Sequence, residues 1–225
     1  MSLFEGRGLA CRRGERWVFA ALDFALPAGG ALLLTGPNGS GKSSLLRLMA
    51  GLLPPAAGSL FWEDAPLRAD PESHRRRVQF LGHLDAVKPV LSARENLAFW
   101  VALRGERAEP AKLDRALADF GLAALAEVPA RLLSAGQKRR LALARLLATP
   151  VDLWLLDEPS VGLDAASGAA LAGAMAAHRA EGGRVVASSH VPLELPGAES
   201  LDLEAFGAVS AEPWPEADWD EEAAS

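Results

Sequence analysis

Eight consecutive residues, Gly36, Pro37, Asn38, Gly39, Ser40, Gly41, Lys42 and Ser43, fit the pattern glycine, any four residues, glycine, lysine, serine. Glycines let a backbone turn tightly and bring its N–H groups against phosphate oxygens. A lysine at the seventh place reaches the β- and γ-phosphates of a nucleotide, and a serine hydroxyl at the eighth can ligate Mg²⁺. Ser44 adds a further hydroxyl to the candidate nucleotide-binding set. The flanks suit this reading. Ala31–Thr35 reads as a short buried strand, and 44–50 as the opening of a helix whose N-terminus adds the positive end of its dipole. The expected ligand is a nucleoside triphosphate with Mg²⁺.

A second group of residues could act on that ligand. The apolar run 151–156 ends in Asp157, Glu158 and Pro159. In phosphate-loop proteins a strand of this kind lies beside the loop, and an Asp at its end can hold Mg²⁺ through water. Glu158 follows directly, so its side chain takes another direction. It is placed to polarise a water for in-line attack on the γ-phosphate. An isolated Asp-Glu pair would read as a solvated turn; the upstream loop is what makes it chemistry.

The elements that must position these groups follow from the pattern of the chain. Residues 3–11 and 17–26 resemble two strands joined by a turn at Arg13, Gly14 and Glu15, and 59–62 another strand. Val78–Leu81 and Arg184–Ser188 are short apolar runs of strand type, with a helix expected over Ala165–Ala180. Residues 92–147 have almost no β-branched side chains and are dense in Ala, Leu and Arg. They read as a helical insert with helices at Ala93–Leu103, 111–120 and Ala135–Ala148, the first opened by a Ser92…Glu95 capping box. Residues 200–203 and 206–209 are expected as edge strands. The alternation predicts an α/β fold with a mainly parallel sheet core, antiparallel N-terminal strands and an α-helical subdomain. The cluster His74, Arg75, Arg76 and Arg77 reads as a solvated turn or as a contact for anionic lipid or a partner.

Composition narrows the class. The 225 residues suit one domain with an inserted subdomain, and half of them are hydrophobic. The single cysteine, Cys11, excludes an internal disulfide or a Cys-rich zinc site and reads as a small buried apolar side chain. No apolar run is long enough to span a bilayer, and the N-terminus lacks the apolar segment of a signal peptide. The chain is therefore expected to be soluble and cytoplasmic, reaching a membrane only through another subunit. The net charge of −6 hides an asymmetry: nine of the 29 acids lie at or after Glu199, leaving 20 against 23 bases. The domain is expected over 1–211, with 212–225 an acidic, solvated, disordered tail.

Leu133, Ser134, Ala135, Gly136 and Gln137 resemble the signature Leu-Ser-Gly-Gly-Gln of the ATP-binding-cassette (ABC) ATPases, about two dozen residues before Asp157 as in that family. Ser134 would cap a helix whose free N–H groups form a second anion site. The resemblance implies ATP with Mg²⁺. It also implies a head-to-tail dimer in which Ser134, Gly136 and Gln137 meet the nucleotide on the loop of a second ABC subunit. The run 160–164 looks like the loop that follows the catalytic Glu, and His190 matches the switch histidine that contacts the γ-phosphate. Where the family usually has Gln, this chain has His83, a candidate for the Mg²⁺ region. The family's adenine-stacking aromatic has no counterpart. Arg13 is the aligned candidate, and Trp17 the other.

Leu81, Gly82 and His83, then Lys88 and Leu91–Leu97 as Leu-Ser-Ala-Arg-Glu-Asn-Leu, closely resemble one group of these cassettes. It comprises the ATP-binding subunits of the haem exporter of cytochrome c maturation, which also tend to carry Ala at the place of Ala135. This resemblance covers roughly residues 3–204. It implies a peripheral ATPase on the cytoplasmic face of a bacterial inner membrane, with separate integral-membrane permease subunits as partners and no nucleic acid. The segment 83–97 is where a membrane subunit would dock. Alternatives are the ATPase of another small-molecule exporter, or a non-transport cassette. The latter usually has two cassettes or a long coiled-coil insertion, and neither is present here.

Overall fold

The computed structural model describes residues 3–207, and the expected tail lies outside them. Strands β1 (Leu3–Arg13) and β2 (Arg16–Pro27) form an antiparallel hairpin, followed by β3 (Ala31–Thr35) and α1 (Lys42–Met49). After β4 (Ala57–Trp62), β5 (Ala65–Pro66), α2 (Pro71–Arg77) and β6 (Val78–Leu81) come three helices, α3 (Ala93–Leu103), α4 (Pro110–Asp119) and α5 (Ala135–Ala148). The chain then runs through β7 (Leu153–Asp157), α6 (Ala165–Ala180), β8 (Arg184–Ser188) and β9 (Glu199–Asp202).

Two sheets result. The antiparallel sheet has the order β2-β1-β4-β5, and the parallel sheet the order β6-β7-β8-β3-β9. Every residue of β7 and β8 is buried, as befits parallel strands covered on both faces. Successive side chains point to opposite faces. Leu153, Leu155 and Val186 therefore join the core under the antiparallel sheet, which also buries Leu45, Leu46, Leu48 and Met49 of α1. Trp154, Leu156, Val185 and Ala187 join the second core, against α3–α6. The α/β expectation is met. Helix α3 has the anticipated capping box: the Ser92 hydroxyl accepts from Glu95 N at 3.2 Å, and the Glu95 carboxylate from Ser92 N at 2.7 Å.

Two local expectations fail. The His74–Arg77 cluster is not a turn but part of α2, which is capped by Asp70 and has Pro71 at its first position. His74 points inward and is 3% exposed. Its Nδ1 accepts from Trp62 Nε1 at 2.8 Å and its Nε2 lies 2.8 Å from the Met49 carbonyl oxygen. Periodicity misses this because the one inward side chain is polar. Phe206, expected in a strand, instead ends a 3-10 turn over Leu203–Phe206, capped by Asp202; Val209 lies outside the described residues. Cys11 is buried as expected, and burial pushes its thiol pKa up.

Candidate active site

The loop 36–43 joins the end of β3 to the start of α1. Gly36, Gly39 and Gly41 have φ of 118°, 85° and 106°, in the region that favours glycine. At Gly41 a Cβ would also come within 2.6 Å of Val18 Cγ1 and 2.9 Å of Phe19 Cδ1, so space as well as backbone demands glycine there. Gly41 caps α1 without any side-chain bond, which leaves the first N–H groups of the helix free for an anion. Lys42 reaches back across the loop and donates to the Gly36 and Pro37 carbonyl oxygens at 2.7 and 3.0 Å. The Ser40 hydroxyl is buried and has no hydrogen-bond partner among the described residues. An orphaned donor, an ammonium and an uncapped helix start all fit a polyphosphate.

Helix α1 brings Ser43 to the end of β7, although β8 separates β7 from β3 in the sheet. Ser43 Oγ donates to Asp157 Oδ1 at 3.0 Å, and Ser188 Oγ donates to the same oxygen at 2.7 Å. Ser188 stands opposite Asp157 in the parallel register of β7 and β8. One hydroxyl and one carboxylate are hard oxygen donors. They suit a Mg²⁺ that takes its other ligands from phosphate and water.

Glu158 has φ 51°, left-handed for a residue with a side chain, at about 1 kcal/mol. Three groups hold it there. Its N–H donates to the Ser188 carbonyl oxygen at 3.2 Å and lies 3.1 Å from Ser188 Oγ. Its own carbonyl oxygen accepts from Arg139 Nη2 at 2.7 Å. Its carboxylate meets His190 twice, at 2.7 Å from Nδ1 and 3.2 Å from the backbone N. Glu158 and His190 face Lys42, Ser43 and Ser44 across a cleft of about 570 Å³. Arg13 also lines it and donates to Ser44 Oγ at 3.4 Å. Trp17 lines an adjoining cleft with Pro37, Asn38, Gly39 and Ser40.

Four of the anticipated residues lie elsewhere. Ser134 and Gly136 are exposed at the start of α5 and do not line the cleft. Ser134 caps α5 as expected: its hydroxyl accepts from Gln137 N at 3.2 Å, and the Gln137 side-chain oxygen accepts from Ser134 N at 2.8 Å. His83 is exposed and lines a separate cleft with Phe80, Leu84, Trp100, Arg104 and Arg145. There burial, and then Arg104, push the Arg145 guanidinium down to about 10.

The sequence model described as "ABC transporter" matches residues 19–161, a stretch that holds the loop, the capped start of α5 and the Asp157-Glu158 pair. The chain belongs to the ABC transporter family. In an ABC transporter the ATP-binding subunit binds and hydrolyses ATP, and this chain is such an ATPase subunit. The cytochrome c biogenesis ATP-binding export protein CcmA of Paramagnetospirillum magneticum is 56% identical over 214 residues, covering 94% of this chain and 99% of that protein. The protein of the same name from Rhodospirillum rubrum is 58% identical over 205 residues, covering 91% and 87%. An ATP-binding ABC transporter protein of Pyrococcus furiosus has the same fold, with TM-score 0.81 at 23% identity over 92% of this chain and all of that one. Among the described residues no helix of this ABC subunit is long and apolar enough to cross a membrane. As the ATP-binding subunit of an export system, it works with membrane partners.

Sequence reasoning did not find Ser188 or Arg139. The end of β8 was legible, and Ser188 follows from it once β7 and β8 are known to be neighbours. Arg139 hides in the basic run Lys138, Arg139, Arg140 and gives no local signal.

Proposed function

We propose that this chain is the ATP-hydrolysing subunit of the haem exporter of cytochrome c biogenesis. The carrying observation is identity of 56 and 58% to two cytochrome c biogenesis ATP-binding export proteins over nearly the whole chain. The ATPase domain spans 1–211, with 92–147 as its helical subdomain.

The loop N–H groups from Gly36 to Ser43 cradle the ATP phosphates, and Asn38 and Ser44 line the same cleft. Lys42 exchanges the Gly36 and Pro37 carbonyl oxygens for the β- and γ-phosphates. Ser43 and Asp157 would hold Mg²⁺, which would neutralise phosphate charge. Glu158 polarises the attacking water, and His190 orients that carboxylate and meets the γ-phosphate. Arg13 stacks on adenine. His83, at the start of the loop after β6, reports on the docked subunit rather than on the metal. Ser134 and Gly136 are exposed and Gln137 half-buried because they serve the nucleotide of a second ABC subunit packed head to tail. The permease subunits dock over 83–97 at the cytoplasmic face of a bacterial inner membrane, where this chain is peripheral. Disrupting the gene and assaying holo c-type cytochromes tests the pathway. Their loss is expected. Normal levels would remove the cytochrome reading and leave the ATPase reading untouched.

A further inference from the structure

Arg139 sits in the second turn of α5, buried, and its guanidinium fork spans two elements. Nη2 donates to the Glu158 carbonyl oxygen at 2.7 Å, with the Asp157 carbonyl oxygen at 3.5 Å. Nη1 donates to Asp85 Oδ1 at 3.1 Å, with the Gly82 carbonyl oxygen at 3.5 Å. Asp85 thus neutralises the buried cation and fixes the plane of the fork. The residue it grips is the one with φ 51°. A left-handed φ on a residue with a Cβ persists only when its surroundings hold it. Relaxing that angle would swing both the carbonyl and the carboxylate. Ser188 holds the N–H and His190 holds the carboxylate; without Arg139, the carbonyl keeps, among the described residues, only the 3.3 Å contact from Val161 N.

We infer that Arg139 is a positioning residue for hydrolysis: by anchoring the Glu158 carbonyl to the 82–85 loop it keeps the carboxylate aimed at the γ-phosphate. The inference rests on Glu158 being the water-polarising group. It also ties the base of the signature helix to the loop that carries His83 and Leu84, so displacement of that loop acts on the carboxylate through one side chain. Nothing in this role touches ATP, so affinity for the nucleotide is independent of it.

The test uses the assembled transporter with Arg139→Gln, Arg139→Lys and Asp85→Asn, each in the wild-type and the Glu158→Gln background. Steady-state kcat and KM for ATP are read together with single-turnover hydrolysis. Arg139→Gln should lower kcat by about tenfold or more while KM stays within about twofold, because a small misplacement of a catalytic group is enough for that loss. Arg139→Lys should restore part of it, since one ammonium cannot serve both acceptors. Asp85→Asn should give a smaller loss of the same kind, and it decides the matter alone if Arg139→Gln does not fold. In the Glu158→Gln background none of the three should lower the residual rate further. An equal fractional loss in both backgrounds, a raised KM at unchanged kcat, or no change overturns the inference. Wild-type rates in Glu158→Gln itself would overturn the reading of Glu158 along with it.

Discussion

Lys42 is held by two carbonyl oxygens of its own loop, Gly36 and Pro37, that a nucleotide must displace. Charge-assisted hydrogen bonds are worth roughly 1.5–3 kcal/mol each. Lys42→Ala should therefore weaken ATP binding by about 10- to 100-fold, as read by nucleotide titration. Unchanged affinity would mean that the backbone N–H groups hold the phosphates alone. At this scale the membership of the candidate site was largely legible in the sequence. Lys42 and Ser43 follow from glycine spacing, and Asp157 and Glu158 from an apolar run that ends in acids. His190 followed only from family resemblance. Ser188 and Arg139 were not legible, because their partners lie 31 and 19 residues away and are set by strand order and helix rotation rather than by local pattern.

Short elements with polar inward side chains were the hardest to read. Helix α2 has one buried side chain, His74, and its three arginines gave it the composition of a solvated turn. Its hydrogen bonds define one protonation state. Nδ1 accepts from the Trp62 indole, so Nε2 carries the proton and donates to Met49 O. Burial above all, and then Arg77 and Arg75, hold the His74 pKa below the ordinary 6.5, and burial does the same to His178 of α6. Below pH 6.5 the unfolded chain then binds more protons than the folded one, so stability falls as pH falls from about 6.5 towards the depressed values. Denaturant midpoints between pH 7.5 and 5.5 should decrease, and His74→Gln should flatten that dependence. An unchanged slope would place the acid sensitivity elsewhere. The helices α3 and α5 were read to the residue because Ser92 and Ser134 cap them with side-chain bonds to the third residue on, as Asp164 does for α6.

The whole molecule places the starts of α1 and α5 at different sites. The N-terminus of α1 lies in the cleft with Glu158 and His190, while the capped start of α5 faces solvent. Each site is half of an ATP sandwich in the proposed head-to-tail pair. The parallel sheet between two cores gives the first half its rigidity: β3, β7 and β8 end together, at the loop, the carboxylates and Ser188. That layered α/β plan was legible from the spacing of apolar runs. The strand order was not, because register in a parallel sheet is decided by crossovers. Phosphate release by the assembled transporter, wild type against Glu158→Gln and with bound ATP measured in parallel, is the most direct test of hydrolysis at this constellation. A positioned base contributes about 100- to 10,000-fold, so Glu158→Gln should lose at least about 100-fold in turnover while retaining ATP. Equal turnover by the two proteins would show that Glu158 does not polarise the water.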